Sequence, residues 1–173
     1  MKRVVDIETL HIVANDWNPP FKYIEDLDEC ADIINVPHED YPDFVDNTKA
    51  SIEFIIESLK ENPALVERDI KAIHNYCFGG YSGKSMKYIP TGEYRNGTVT
   101  VGDSFEACQP YLIFPFMMSI FPIEVGMGED KLKEWYKIFE TIHPFEDGNG
   151  RVGGIIIAAM SYMETGKYLV SRR

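Results

Sequence analysis

The chain has 173 residues, 45% of them hydrophobic, enough for one well-filled core and too few for two full domains. Its 28 acidic residues outnumber 17 basic ones, and the net charge of -11 argues against broad binding to a DNA or RNA backbone. Cys30, Cys77 and Cys108 are widely spaced without a CxxC pair, so neither a disulfide framework nor a zinc site is suggested, and reduced thiols in a cytoplasmic protein are expected.

Met1 is followed by Lys2, Arg3, Asp6 and Glu8, with no long apolar run, so no secretory signal is expected. The first 45 residues are acidic and punctuated by Asn15 to Pro20, Glu25 to Glu29 and Pro37 to Pro42. That pattern predicts short helices and turns forming an acidic extension packed on the core, with Trp17 and Phe21 as packing anchors, ahead of a main domain over 46–173. Ile52, Ile55, Ile56 and Leu59 recur at helical spacing and predict an amphipathic helix from Asp46 to Lys60, stopped by Asn62-Pro63. A second helix is expected after Pro63, through Leu65, Val66, Ile70 and Ile73 to Gly79-Gly80, with His74 a core or surface residue and not a ligand. From Gly79 to Gly102 glycines and β-branched residues take over, and Asn96-Gly97 between extended residues predicts a small hairpin there and no larger sheet.

Gln109 to Pro122 is aromatic and broken by proline, which suggests one or two short helices lining a pocket; it is too short to span a membrane. Asp130 to Ile142 predicts a helix with Leu132, Trp135, Tyr136, Phe139 and Ile142 on its apolar side. Asn149 to Glu164 is apolar nearly all round, the pattern of a helix at the centre of a helical domain. The last residues, Gly166 to Arg173, are expected as a disordered basic tail, with folding back of Lys167, Arg172 or Arg173 as the alternative.

Between those last two helices stands His143-Pro144-Phe145-Glu146-Asp147-Gly148-Asn149-Gly150-Arg151. Unpaired N–H groups at a helix start, together with the dipole there, favour an anion. Gly148 and Gly150 let the backbone curl around phosphate oxygens, Asn149 can donate from its amide, and Arg151 can pair with a phosphate. Asp147 is the natural Mg²⁺ ligand, and His143 can act as a general base near neutral pH. Phe145 would pack inward and hold His143 in place. Gly-Asn-Gly alone is an ordinary turn, but no ordinary turn requires these residues in this order.

This run resembles the Fic motif, HPFx(D/E)GNGRxxR, at each specified position through its first arginine. Gly92-Glu93-Tyr94-Arg95, followed by Val99, Val101 and Gly102, is similar to the segment leading into the family's flap hairpin. The resemblance implies an all-α fold with one small β-hairpin. It also implies a protein adenylyltransferase that moves AMP from ATP to a Ser, Thr or Tyr hydroxyl of a target protein. By the same resemblance His143 is the base, Asp147 holds Mg²⁺, and Phe145, Gly148, Asn149, Gly150 and Arg151 serve the nucleotide. Thr98, Val99, Thr100 and Val101 form the flap on which the target backbone docks. Tyr94, Tyr81 and Ser82 are candidates for self-modification.

The motif's second arginine is replaced by Gly154. One charged hydrogen-bonding partner is worth about 1.5 to 3 kcal/mol, so triphosphate binding would weaken by roughly one to two powers of ten. A donor other than ATP, delivering phosphate, UMP or phosphocholine, is therefore an alternative, as is a weakly catalytic nucleotide-binding module. The family's inhibitory pattern, [S/T]xxxE[G/N], has no match, since Ser58 to Asn62 is one residue too short. Self-inhibition by that device is not expected, which leaves a separate inhibitory protein as a partner to be sought.

Overall fold

The computed structural model describes residues 2–36, 41–79 and 90–171. Its N-terminal part runs β1 (Arg3–Val4), α1 (Leu10–Asp16), β2 (Phe21–Ile24) and α2 (Leu27–Asn35). The start of α2 is capped by the Asp26 carboxylate, which accepts from Glu29 N–H at 3.2 Å, and Asp28 and Glu29 suit the positive end of the dipole. The next helix, α3 (Tyr41–Glu61), runs across position 45, and its spacing does put Ile52, Ile55, Ile56 and Leu59 in the core. Ala64–Leu65 form strand β3 and not the start of a helix, and α4 (Glu67–Phe78) begins where the Asp69 carboxylate accepts from Val66 N–H at 2.7 Å.

The chain continues through β4 (Thr100–Val101), β5 (Phe105–Glu106), α5 (Pro110–Ser119), β6 (Ile123–Glu124), α6 (Glu129–Ile142), α7 (Asn149–Thr165) and β7 (Tyr168–Ser171). Helices dominate, as the sequence implies. At the centre lies α7, buried at every residue from Val152 to Ser161 and packed by α2, α3, α4, α6 and β7. Two glycines set how closely its neighbours approach. A Cβ at Gly153 would stand 3.0 Å from Phe139 and Glu140 on α6, and one at Gly154 would stand 3.3 Å from Ile34 on α2. Against the outer face of α6, Trp17 and Phe21 both pack on Tyr136 at 5.8 Å between ring centroids, the anchoring role expected of them.

Several local expectations are corrected. The hairpin turns at Gly102 to Ser104, not at Asn96-Gly97; Gly102 takes the left-handed conformation (φ 54°) and Ser104 N–H bonds to Val101 O at 3.1 Å. The sheet is also larger than a hairpin, because β1 pairs with β5 in parallel and gives the order β1-β5-β4. Among the described residues β2 with β7 and β3 with β6 make two further antiparallel pairs. The expected tail is strand β7, with Tyr168, Leu169 and Val170 buried and Lys167 paired with Glu25 at 3.7 Å; Arg172 and Arg173 lie outside the described residues. Finally, α5 is one helix with Pro115 inside it, and it shows Tyr111, Phe114 and Met118 to solvent and not to a pocket.

Candidate functional site

The site starts where α6 stops. His143 is a left-handed C-cap (φ 53°, ψ 61°), a conformation costing an ordinary side chain roughly 1 kcal/mol, so surrounding structure must impose it. Arg95 does so. Its buried guanidinium donates to both carbonyls at the helix end, Nε to His143 O at 2.7 Å and Nη2 to Ile142 O at 3.2 Å. The same side chain holds the strand-bearing segment, through Gly97 O at 2.9 Å and Cys108 O at 2.7 Å, while Arg95 N–H donates to Pro144 O at 2.9 Å. Burial lowers its pKa from the ordinary value, yet a guanidinium keeps its charge, and the negative end of α6 is a suitable place for one.

The turn between His143 and α7 is braced from within. Asn149 accepts from Phe145 N–H and donates to Phe145 O, both at 2.8 Å. Phe145 is fully buried and stacks on His74, ring centroids 4.0 Å apart and planes at 14°. His74 accepts from Gly92 N–H on Nδ1 at 3.0 Å, so Nε2 carries the proton and donates to Asp147 O at 2.9 Å. Burial is the main reason its pKa lies below the usual histidine value, and the imidazole is neutral. One histidine thereby ties the motif loop to the segment that leads to the hairpin.

Gly148 is the left-handed N-cap of α7 (φ 83°), packed so closely on Phe78 that a Cβ would lie 2.6 Å from the ring. Its N–H is met by its neighbour's carboxylate, Asp147 Oδ1, at 2.7 Å. An anion thus already sits at the glycine donor, supplied by the chain itself. Arg151 is 1% exposed and lies between Phe44 and Phe78, 5.1 and 4.9 Å from their ring centroids, so its first partners here include two aromatic faces. Gly150 is half-buried in the first turn.

Among the described residues no cluster of three or more His, Cys, Asp or Glu side chains could cage a metal. A Mg²⁺ ion held chiefly by phosphates and water needs only one or two protein carboxylates, and the half-buried Asp147 meets that requirement. Of the residues expected to form the flap, Thr98 and Thr100 are exposed while Val99 and Val101 are half-buried, and Val99 O accepts from Ala107 N–H at 2.9 Å. Tyr94 is not the exposed hydroxyl expected of a self-modification site: it is half-buried, donates to Glu67 and lies under Lys71 Nζ at 4.3 Å. Tyr81 and Ser82 fall outside the described residues.

Sequence reasoning placed His143, Phe145, Asp147 and Gly148 together and missed the two residues that brace them. His74 shares the buried face of α4 with Ile70, Ile73 and Cys77, and that polar residue on an apolar stripe was its only signal. Arg95 is legible in the sequence only as the last residue of the Gly92 to Arg95 segment.

A central helix whose start follows a buttressed histidine, beside a short three-stranded sheet, defines a helical domain with its candidate site at the N-terminus of that helix. Comparison makes this specific: residues 64–161 match the Fic/DOC family, and the chain belongs to that family. It is 33% identical over 76 residues to a probable protein adenylyltransferase of Aquifex aeolicus, a match covering 42% of this chain and 24% of that protein. Among solved structures it resembles a Fic family protein from Desulfovibrio desulfuricans G20, with TM-score 0.52 and 22% identity, over 90% of this chain and 46% of the other. A Fic-domain signaling protein of Bacteroides thetaiotaomicron aligns with TM-score 0.47 and 19% identity, over 69% of this chain and 47% of its own. The chain therefore spans about a quarter of the curated relative and under half of these structures. No helix among the described residues is long and apolar enough to cross a membrane.

Proposed function

We propose that this chain transfers AMP from ATP to a Ser, Thr or Tyr hydroxyl of a target protein, with His143 as the general base. The observation that carries this is the placement of His143, fixed by Arg95 at the end of α6, directly ahead of the α7 N-terminus in a chain of the Fic/DOC family. The relative named a probable protein adenylyltransferase supports the choice of AMP.

The acceptor hydroxyl gives its proton to His143 as its oxygen bonds to the α-phosphorus, and the bond from that phosphorus to the pyrophosphate oxygen breaks. A phosphate oxygen takes the place of Asp147 Oδ1 at Gly148 N–H, joined by the donors of Asn149 and Gly150 at the helix start. Released in this way, Asp147 would hold Mg²⁺, which when bound adds positive charge beside the phosphates. Asn149 uses one amide hydrogen on Phe145 O and has a second for the α-phosphate. Arg151 contributes charge from behind the helix start, and direct pairing with a phosphate requires Phe44 and Phe78 to part. The target backbone docks along Thr98 to Val101, where β4 is the outer strand of its sheet. Gly154 needs no unusual donor to explain it, since Ile34 of α2 occupies the space beside it.

The test is to incubate wild type and His143→Ala with Mg²⁺ and each candidate donor in a lysate and to weigh the modified proteins. An AMP adduct that depends on His143 is the expected result. A UMP, phosphate or phosphocholine adduct would replace the donor, and no His143-dependent adduct would end the transferase reading.

A further inference from the structure

The anion-binding end of α7 is closed by the chain itself. Asp147 Oδ1 accepts from Gly148 N–H at 2.7 Å, so the donor that a phosphate oxygen would use carries a carboxylate instead. Everything around that bond is held from elsewhere. Gly148 keeps its left-handed φ of 83° against Phe78, whose ring leaves no room for a Cβ. Asn149 is tied to both backbone groups of Phe145 at 2.8 Å, and the backbone carbonyl of Asp147 accepts from His74 Nε2 at 2.9 Å. The Asp147 carboxylate can therefore swing off Gly148 by side-chain rotation alone, with the backbone of the turn unmoved. A phosphate arriving at the helix start meets two obstacles with one cause: the N–H is taken, and a negative charge stands on it. Both are removed together when the carboxylate turns to a cation, and a Mg²⁺ ion carried by a polyphosphate accepts one or two carboxylates of this kind.

Resting on the transferase reading above, we propose that Asp147 decides which anions the site admits. It excludes metal-free phosphates, and a divalent cation brought by the nucleotide draws it off Gly148 N–H and opens the donor. A hydrogen bond to a charged group is strong enough that displacing this one costs a competing anion roughly ten- to a hundredfold in affinity. Metal and nucleotide are then coupled through one side chain, and by linkage each strengthens the binding of the other by the same factor. A residue that served only as a metal ligand would leave metal-free binding unchanged, and here lies the difference the two roles make.

Calorimetry on the full chain with pyrophosphate and with ADP, each in EDTA and in Mg²⁺, measures this without turnover. Asp147→Ala should bind the metal-free ligands about tenfold or more tighter than wild type does, and should lose much of the advantage that Mg²⁺ gives. Asp147→Asn drops the charge but keeps an oxygen acceptor, so it should show only part of that gain, which separates the hydrogen bond from charge repulsion. A second readout needs no variant: in wild type the Gly148 amide resonance should stay in place with metal-free ADP and move with Mg-ADP. Equal metal-free affinity in wild type and Asp147→Ala, an equal gain in the Asn and Ala variants, or a Gly148 amide that responds alike to ADP with and without Mg²⁺ overturns the proposal. If AMP adducts dependent on His143 still form in those cases, the transferase reading stands without it. The expected binding pattern with no such adduct would keep the selection by Asp147 and sink the transferase reading.

Discussion

Replacing His74 with Phe isolates what its two nitrogens contribute. The ring stack on Phe145 survives the change, since phenylalanine keeps the shape that sits at 4.0 Å and 14°. What is lost is the acceptor for Gly92 N–H and the donor to Asp147 O, 3.0 and 2.9 Å from the imidazole. Each half-buried backbone group left without a partner costs about 1 to 2 kcal/mol, giving about 2 to 4 kcal/mol together. Urea unfolding should show a lower midpoint with an unchanged slope, and thermal unfolding a fall of roughly 5 to 15 °C. His74→Gln, with an amide oxygen and an N–H, should recover part of the loss. The pH dependence has a definite sign. Burial lowers the native pKa of His74 below the usual 6.5, so the unfolded chain binds the extra proton first as pH falls. Its contribution is full above about 6.5 and declines as pH drops from there through the native pKa, while His74→Gln should lack this component. A His74→Phe protein within about 0.5 kcal/mol of wild type would refute the bridging role.

Arg95→Lys should destabilise by about 2 to 4 kcal/mol in denaturant titration, because one ammonium cannot reach the carbonyls of Gly97, Cys108, Ile142 and His143 together. Gly148→Ala places a methyl 2.6 Å from Phe78 at φ 83°, which should cost about 2 to 4 kcal/mol and weaken Mg-ATP binding in calorimetry; adding Phe78→Leu should return the steric part of the stability. Gly154→Arg restores the family's second arginine but drives it into Ile34. No gain in ATP affinity is expected from it alone, and a loss of about 2 kcal/mol or more in thermal stability should be seen; Ile34→Ala should relieve that loss.

Where local pattern and tertiary packing agree, the sequence was sufficient. The all-round apolar stretch of α7 could only be central, and the spacing of Leu132, Trp135, Tyr136 and Phe139 could only be a helix face. It failed where a distant residue decides. Asn96-Gly97 has the better intrinsic turn chemistry, but Arg95 fastens Gly97 O and Pro144 O to itself, so the turn forms further on at Gly102. Tyr168 to Val170 read as part of a disordered basic tail, and only the pairing of β7 with Phe21–Ile24 makes it a strand. The motif residues were legible because their chemistry is local. Asp147 resting on Gly148 N–H and the aromatic enclosure of Arg151 were not, since both depend on side chains brought from α3 and α4 or turned back on the loop.

The most direct test of AMP transfer uses ATP labelled at the α-phosphorus and, in parallel, at the γ-phosphorus, with wild type and His143→Ala in a lysate. Label from the α-position on protein, lost in the variant and never seen from the γ-position, is the expected result. Protein label from the γ-position, or α-label that persists without His143, would contradict it.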